Sequence, residues 1–219
     1  MKLASLKLML VTQQGLMSVD EYVGYVKQCV LAGVSAVQLR EKHLSFTQLA
    51  TLGHALQEML KTLDVPLIIN DNLALCVALD AAGLHLGQDD GCVVTARQRL
   101  GDKKIIGLSV NSFEQLHHAC SLPVDYIGIG AIFNTSSKPD VQTIWGVDKL
   151  AEAARYATKP LVAIGGINQH NIGRVLQANV AGIAAISALH SASSADITLM
   201  LNQINQGLLC SRPSNIRTA

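Results

Sequence analysis

Short apolar runs alternate along this chain with longer stretches whose apolar residues recur every three or four positions. The runs predict strands at Leu8–Val11, Ala36–Arg40, Pro66–Asn70, Gly83–Leu86, Lys104–Ser109, Tyr126–Ile129, Leu161–Ile164 and Gly182–Ile186. The periodic stretches predict helices between them. Ser18 with Glu21, and Ser45 with Gln48, are spaced as capping boxes. The first predicted helix ends near Leu31, where Gly33 stops it, and the second carries Leu49, Leu52, Leu56 and Leu60 on one face. Further helices are predicted over Leu73–Ala81, Thr95–Leu100, Ser112–Ala119, Val147–Ala157, Gln169–Ala178 and Ala195–Leu208. The strands are apolar on both parities, as parallel strands covered on two faces are. Eight such strand–helix units predict an α/β fold, a single parallel eight-stranded (β/α)8 TIM barrel. An open doubly wound sheet is the rival, but no Gly-x-Gly-x-x-Gly follows the first strand.

Composition agrees with one well-packed domain, read as residues 1–208, with a polar C-terminal tail at 209–219. The 219 residues are 49% hydrophobic and 15% charged, with a net charge of +1. That balance supplies no field for nucleic acid or an anionic membrane, and 4% aromatics offer little surface for base stacking. Five scattered cysteines, Cys29, Cys76, Cys92, Cys120 and Cys210, form no Cys-x-x-Cys pair and read as reduced thiols. Residues 1–6 lack a signal-peptide pattern, and no apolar run reaches membrane-spanning length. A soluble cytoplasmic protein is the expectation.

In a barrel of this kind the chemistry sits at the C-terminal ends of the strands. Polar residues collect there. Period-two alternation puts Gln38, Arg40 and Lys42 on one face of the second strand, and Val37, Leu39 and Glu41 on the other. Two cations beside an amide call for an anion, although a solvated strand end would look the same. Asn70 and Asp71 follow the third strand, Gln88, Asp89 and Asp90 the fourth, and Ser109 ends the fifth. Each could instead be a turn or a helix cap. Gly165-Gly166 after the seventh strand and Ser187 after the eighth stand where barrels of this class hold a phosphate. Asp71 and Asp90 are two carboxylates from neighbouring strands, a set that suits Mg²⁺ completed by water and substrate phosphate. Arg40, Lys42, Lys138 and one divalent cation, less the two carboxylates, leave three positive charges. That balances a fully ionised pyrophosphate ester.

Assembled in order, these residues make the chain resemble the thiamine-phosphate synthase family. The resemblance runs from about Leu8 to Leu208. It rests on Gln38-Leu39-Arg40-Glu41-Lys42, Ile69-Asn70-Asp71, His85-Leu86-Gly87-Gln88-Asp89-Asp90, Gly107-Leu108-Ser109, Asp125-Tyr126-Ile127-Gly128, Thr135-Ser136-Ser137-Lys138, Ala163-Ile164-Gly165-Gly166-Ile167 and Ile186-Ser187-Ala188. It implies a TIM barrel that joins a pyrimidine pyrophosphate to a thiazole phosphate with Mg²⁺ bound by Asp71 and Asp90. It also implies that Gln38, Leu39, Arg40, Glu41, Lys42, Asn70, Ser109 and Lys138 surround the pyrimidine pyrophosphate, and that Arg40, Lys42, Ser109 and Lys138 carry the reaction. Thr135, Ser136, Ser137, Gly166, Ile186 and Ser187 are implied around the thiazole phosphate. His85 is expected to be a hydrogen-bonded barrel residue.

The chain departs from the family pattern at Asn72, where arginine is usual, at Ala131 and Asn134, where proline is usual, and at Ser137 in place of threonine. Thiazole tautomerases of the same superfamily tend to lose the pyrophosphate cluster and carry histidine where this chain has Asn111. A non-catalytic barrel that binds a phosphorylated metabolite is the alternative of another class. Nothing in these motifs specifies an oligomeric state.

Overall fold

A computed structural model describes residues 6–135 and 143–210 of the chain. Eight parallel strands close into a barrel in sequence order. They are β1 (Leu8–Val11), β2 (Ala36–Leu39), β3 (Leu67–Asn70), β4 (Gly83–Leu86), β5 (Ile105–Val110), β6 (Tyr126–Ile129), β7 (Leu161–Ile164) and β8 (Gly182–Ala185). The ring is closed by β8 pairing with β1, Met9 opposite Ala184. Helices α1 (Val19–Leu31), α2 (Phe46–Lys61), α3 (Leu73–Ala78), α4 (Val93–Leu100), α5 (Phe113–Ser121), α6 (Gly146–Tyr156), α7 (Ile172–Leu176), α8 (Ser187–His190) and α9 (Ser194–Cys210) complete the chain. No described helix is long and apolar enough to cross a membrane.

Strand alternation divides the core in two. Leu8, Leu10, Val37, Leu39, Ile69, Leu84, Ile127 and Ile183 point outward and pack against the helices. Met9, Val11, Ala36, Ile68, Ile105, Tyr126, Val162 and Ala184 fill the lumen. A TIM barrel is therefore solid through its lower half, and a ligand can enter only from the mouth.

Both expected capping boxes form, with Ser18 and Glu21 opening α1 and Ser45 and Gln48 opening α2. Each satisfies two backbone donors that a helix start leaves open. Ser45→Ala should lower stability by about 1 kcal/mol, measurable as a reduced urea midpoint with an unchanged slope.

Several boundaries differ from expectation, some for identifiable local reasons. Helix α7 is shorter than Gln169–Ala178, because Asn168 and Asn171 use their side chains on nearby backbone. Asn168 Oδ1 accepts from the His170 N–H at 2.9 Å, and Asn171 Oδ1 accepts from the Asn168 N–H at 2.8 Å. Such bonds offer the chain an alternative to the helix. Helix α3 stops at Ala78, and Asp80 then takes a left-handed φ of 48°. Strand β8 ends at Ala185, because Ile186 turns the chain into α8, four residues too few to show a period. Helix α9 runs to Cys210, into the segment expected to be tail.

Candidate active site

A cavity of about 580 Å³ opens at the C-terminal mouth of the barrel, within the range usual for small-molecule sites. Gln38, Arg40, Lys42, Asn70, Asp71, Asp90, Ser109, Thr135, Gly166, Ile186 and Ser187 all line it. Strand β2 supplies the cationic side. Alternation brings Gln38, Arg40 and Lys42 to the cavity, and the Arg40 N–H is anchored on Thr12 Oγ1 at 2.8 Å. The other parity goes elsewhere. Leu39 is buried against the helices, and Glu41 accepts the Gln14 N–H at 2.8 Å. Neither side chain is brought into the cavity. Ser136, Ser137 and Lys138 lie outside the described residues.

The cavity floor is a polar chain of inward-facing residues. His85 places Nδ1 2.8 Å from the Tyr126 hydroxyl and Nε2 2.8 Å from Ser109 Oγ. Burial pushes the Tyr126 phenol well above its ordinary range, against the pull of a hydrogen bond with Gln38, so the ring is a neutral hydrogen-bonding partner. Ser109 is available for this because Ser112 caps α5 instead. There is room for both rings because Gly107 faces them. A Cβ there would strike Tyr126 Cζ and come within 2.5 Å of His85 Nδ1. At Gly128 it would lie 3.0 Å from His85 Cε1. Sequence reasoning passed over Tyr126 and placed His85 only as a barrel residue. Their parity with Gly107, Ser109 and Gly128 was the available signal.

Asp71 and Asp90 meet at one side of the mouth. Asp71 sits in a left-handed backbone position, φ 62°, between Asn70 and Asn72. Asn72, noted above as a departure from the pattern, caps α3 by accepting the Leu75 N–H at 2.9 Å, so this position serves the helix. Asp90 Oδ2 accepts the Gly87 N–H at 2.9 Å and thus also holds its own turn. Burial, then hydrogen bonding to Asp90 and its charge, push the Asp71 carboxyl up to about 6, while Lys42 and Arg40 pull it down. Two carboxylates this close need a proton or a cation between them. Among the described residues no group of three or more His, Cys, Asp or Glu forms a metal cage. A hard divalent ion that takes one or two carboxylates and fills its shell with water and phosphate fits this pair.

Across the mouth stand Gly165 and Gly166, with φ of 100° and 65°. A Cβ at Gly165 would come within 2.5 Å of Ala131 Cβ, and one at Gly166 would strike the Asn134 carbonyl oxygen. Only glycine permits both the left-handed backbone and this approach. The Gly166 carbonyl accepts from Asn171 Nδ2 at 2.9 Å. Beside it the chain leaves β8 through Ile186, φ −106° and ψ −90°, into α8. The first residues of a helix have no intrahelical partner for their N–H groups, and here Ser187 and Ala188 border the cavity. Among the described residues, one mouth thus holds a cationic and dicarboxylate side and, opposite, a backbone-rich side without charged side chains.

The chain matches the family model described as thiamine monophosphate synthase over residues 8–189. It is 47% identical over 206 residues to a thiamine-phosphate synthase of Chlamydia abortus, covering 93% of this chain and 97% of that protein. It is 45% identical over 164 residues to that of Vibrio campbellii, covering 75% and 80%. Among solved structures it is similar to a thiamine phosphate pyrophosphorylase from Pyrococcus furiosus, with a TM-score of 0.85, 29% identity and coverage of 94% and 98%.

Proposed function

The chain belongs to the thiamine monophosphate synthase family and is a transferase, and on that premise we propose that it joins hydroxymethylpyrimidine pyrophosphate to thiazole phosphate. The observation that carries this reading is the two-sided mouth, with Arg40, Lys42, Asp71 and Asp90 on one side and Gly166, Ile186 and Ser187 on the other. It suits two phosphorylated substrates that meet over the barrel axis.

In the proposed reaction the bond between the pyrimidine methylene and the pyrophosphate oxygen breaks, and the electron pair leaves with the pyrophosphate. The lone pair of the thiazole nitrogen then forms the new carbon–nitrogen bond. No redox partner is needed. The aminopyrimidine donates electron density to the methylene, so the break can run ahead of bond formation and no strong base is required. The protein acts through charge and position. Arg40 and Lys42 receive the growing negative charge of the leaving group. Gln38, Asn70, His85, Ser109 and Tyr126 give the pyrimidine a hydrogen-bonding floor. Gly166, Ile186, Ser187 and Thr135 hold the thiazole phosphate, where the resemblance adds the hydroxyls of Ser136 and Ser137, and it adds Lys138 to the pyrophosphate side. Asp71 and Asp90 would hold Mg²⁺, which when bound neutralises charge on the pyrophosphate.

Purified protein given both substrates and Mg²⁺ should release pyrophosphate and form thiamine phosphate in equal amounts. Ligand binding without product would remove this reading and favour a tautomerase or a sensor. Arg40→Ala should reduce kcat/KM at least about tenfold, about 1.4 kcal/mol of transition-state stabilisation, read by steady-state pyrophosphate release. An unchanged rate would take Arg40 out of the site.

A further inference from the structure

Helix α8 has only four residues, far fewer than a helix needs to hold itself. It is held from outside by a cluster that the proposed mechanism does not use. His190 Nδ1 donates to the Ile186 carbonyl at 2.9 Å. The Tyr22 hydroxyl, from α1, donates to His190 Nε2 at 2.9 Å. The Gln13 N–H, just past β1, is shared between the Tyr22 oxygen at 2.8 Å and His190 Nε2 at 3.2 Å. The Tyr25 hydroxyl donates to the Leu189 carbonyl at 2.7 Å. The Tyr22 and His190 rings stack at 6.0 Å, and Tyr25 packs on His190 at 5.4 Å. Two carbonyls of the β8–α8 turn, those of Ile186 and Leu189, therefore take side-chain donors. Both flank Ser187 and Ala188, which line the cavity.

The pattern of donors fixes one protonation state. His190 must donate through Nδ1 and accept through Nε2, which is the neutral ring. Burial favours that form by holding the imidazole below its ordinary range. A phenylalanine at 190 would keep the stacking and lose both bonds, and an asparagine could restore the bond to Ile186. The cluster can thus be separated into a packing part and a bonding part.

We propose that His190, with Tyr22 and Tyr25, is a positioning residue that sets the Ile186–Ser187 backbone at the angle needed to receive a substrate phosphate. The inference rests on the reading above, in which this side of the mouth takes the thiazole phosphate. It goes beyond it by assigning the affinity of that half to residues outside the cavity. It places the main effect of His190 on one substrate, because His190 bonds directly to the Ile186 carbonyl, whereas the cluster meets the Arg40 side only through Thr12, which bonds Tyr22 and takes the Arg40 N–H.

The test compares wild type, His190→Phe, His190→Asn and Tyr22→Phe, with each substrate varied in turn and melting temperature recorded. His190→Phe should raise KM for thiazole phosphate about tenfold, about 1.4 kcal/mol, with KM for the pyrimidine pyrophosphate unchanged. His190→Asn should recover most of the loss, and Tyr22→Phe, which removes one oxygen, should show a smaller rise of the same kind. Should His190→Phe fail to fold, Tyr22→Phe and His190→Asn carry the comparison. Parallel rises in both KM values, no rise in either, or no recovery with asparagine would each overturn the proposal. Calorimetric titration with inorganic phosphate separates it from the reaction itself. A wild type that binds phosphate but makes no product sinks the reaction, and the clamp still stands or falls on whether His190→Phe weakens phosphate. Equal affinities, or no binding by wild type, would end it.

Discussion

Asp71→Asn should cut thiamine phosphate formation about 100-fold, about 2.7 kcal/mol of transition-state stabilisation, and yet make the metal-free protein more stable. The loss of activity follows from the proposed Mg²⁺ site, which would keep one of its two carboxylates. The gain in stability follows from the shifted carboxyl. Burial first, then Asp90, hold Asp71 near 6 in the folded protein, against an ordinary value of 3.8. The folded state therefore keeps this proton at a pH where the unfolded chain has lost it. Stability falls as pH rises from about 4 to 6, and above that the whole penalty is present. At pH 8 without divalent ions, Asp71→Asn should melt above wild type, and at pH 4 the two should coincide. Magnesium should raise the wild-type melting temperature at pH 8 and leave the variant nearly unmoved. A variant that melts at or below wild type at pH 8 without metal would show that the carboxylates are not strained against each other.

Gly166→Ala should reduce kcat/KM for thiazole phosphate by about 100-fold, the scale expected when a ligand is displaced by about 1 Å. The added methyl meets the Asn134 carbonyl oxygen and lies 2.8 Å from Phe133 Cβ, and the backbone at 166 has a φ of 65°. A left-handed residue with a Cβ costs about 1–2 kcal/mol before any contact is counted. The segment before Thr135 would have to shift, and with it that wall of the mouth. Gly173→Ala is the control, since a Cβ there has no neighbour within 4 Å. Steady-state kinetics on both variants should show the loss at 166 alone. Equal behaviour would remove the glycine pair from the phosphate side.

The barrel was legible because its strands are apolar on both parities and its helices announce themselves with caps. Ser18, Ser45 and the Ala36–Leu39 run needed no tertiary information. The same double-sided apolarity hid the floor. In a run such as Tyr126–Ile129 no charged residue marks a face, so only the parity that Tyr126 shares with Gly128 hints that it looks inward and Ile127 outward. The cationic strand end was readable for the opposite reason. Gln38, Arg40 and Lys42 share one parity while Val37 and Leu39 keep the other apolar within the strand, which also explains why Leu39, and Glu41 on its parity, turn away. Asp90 illustrates a different limit. It lines the cavity and holds the Gly87 turn at once, so a structural and a chemical reading of that residue were never exclusive. Helix α8 and its clamp join residues 13, 22, 25 and 190, a distance along the chain that no local pattern spans.

Gly107 and Gly128 give the enzyme a tunable depth. The floor beneath the mouth lies as low as it does because two side chains are missing and the His85 and Tyr126 rings settle into their place. A methyl at Gly107 would strike the Tyr126 ring and one at Gly128 would press on His85, so either would push the floor toward the mouth without altering one charge at the rim. Variation confined to these two positions should therefore change how large a heterocycle is admitted, while the machinery that expels the anion stays as it was.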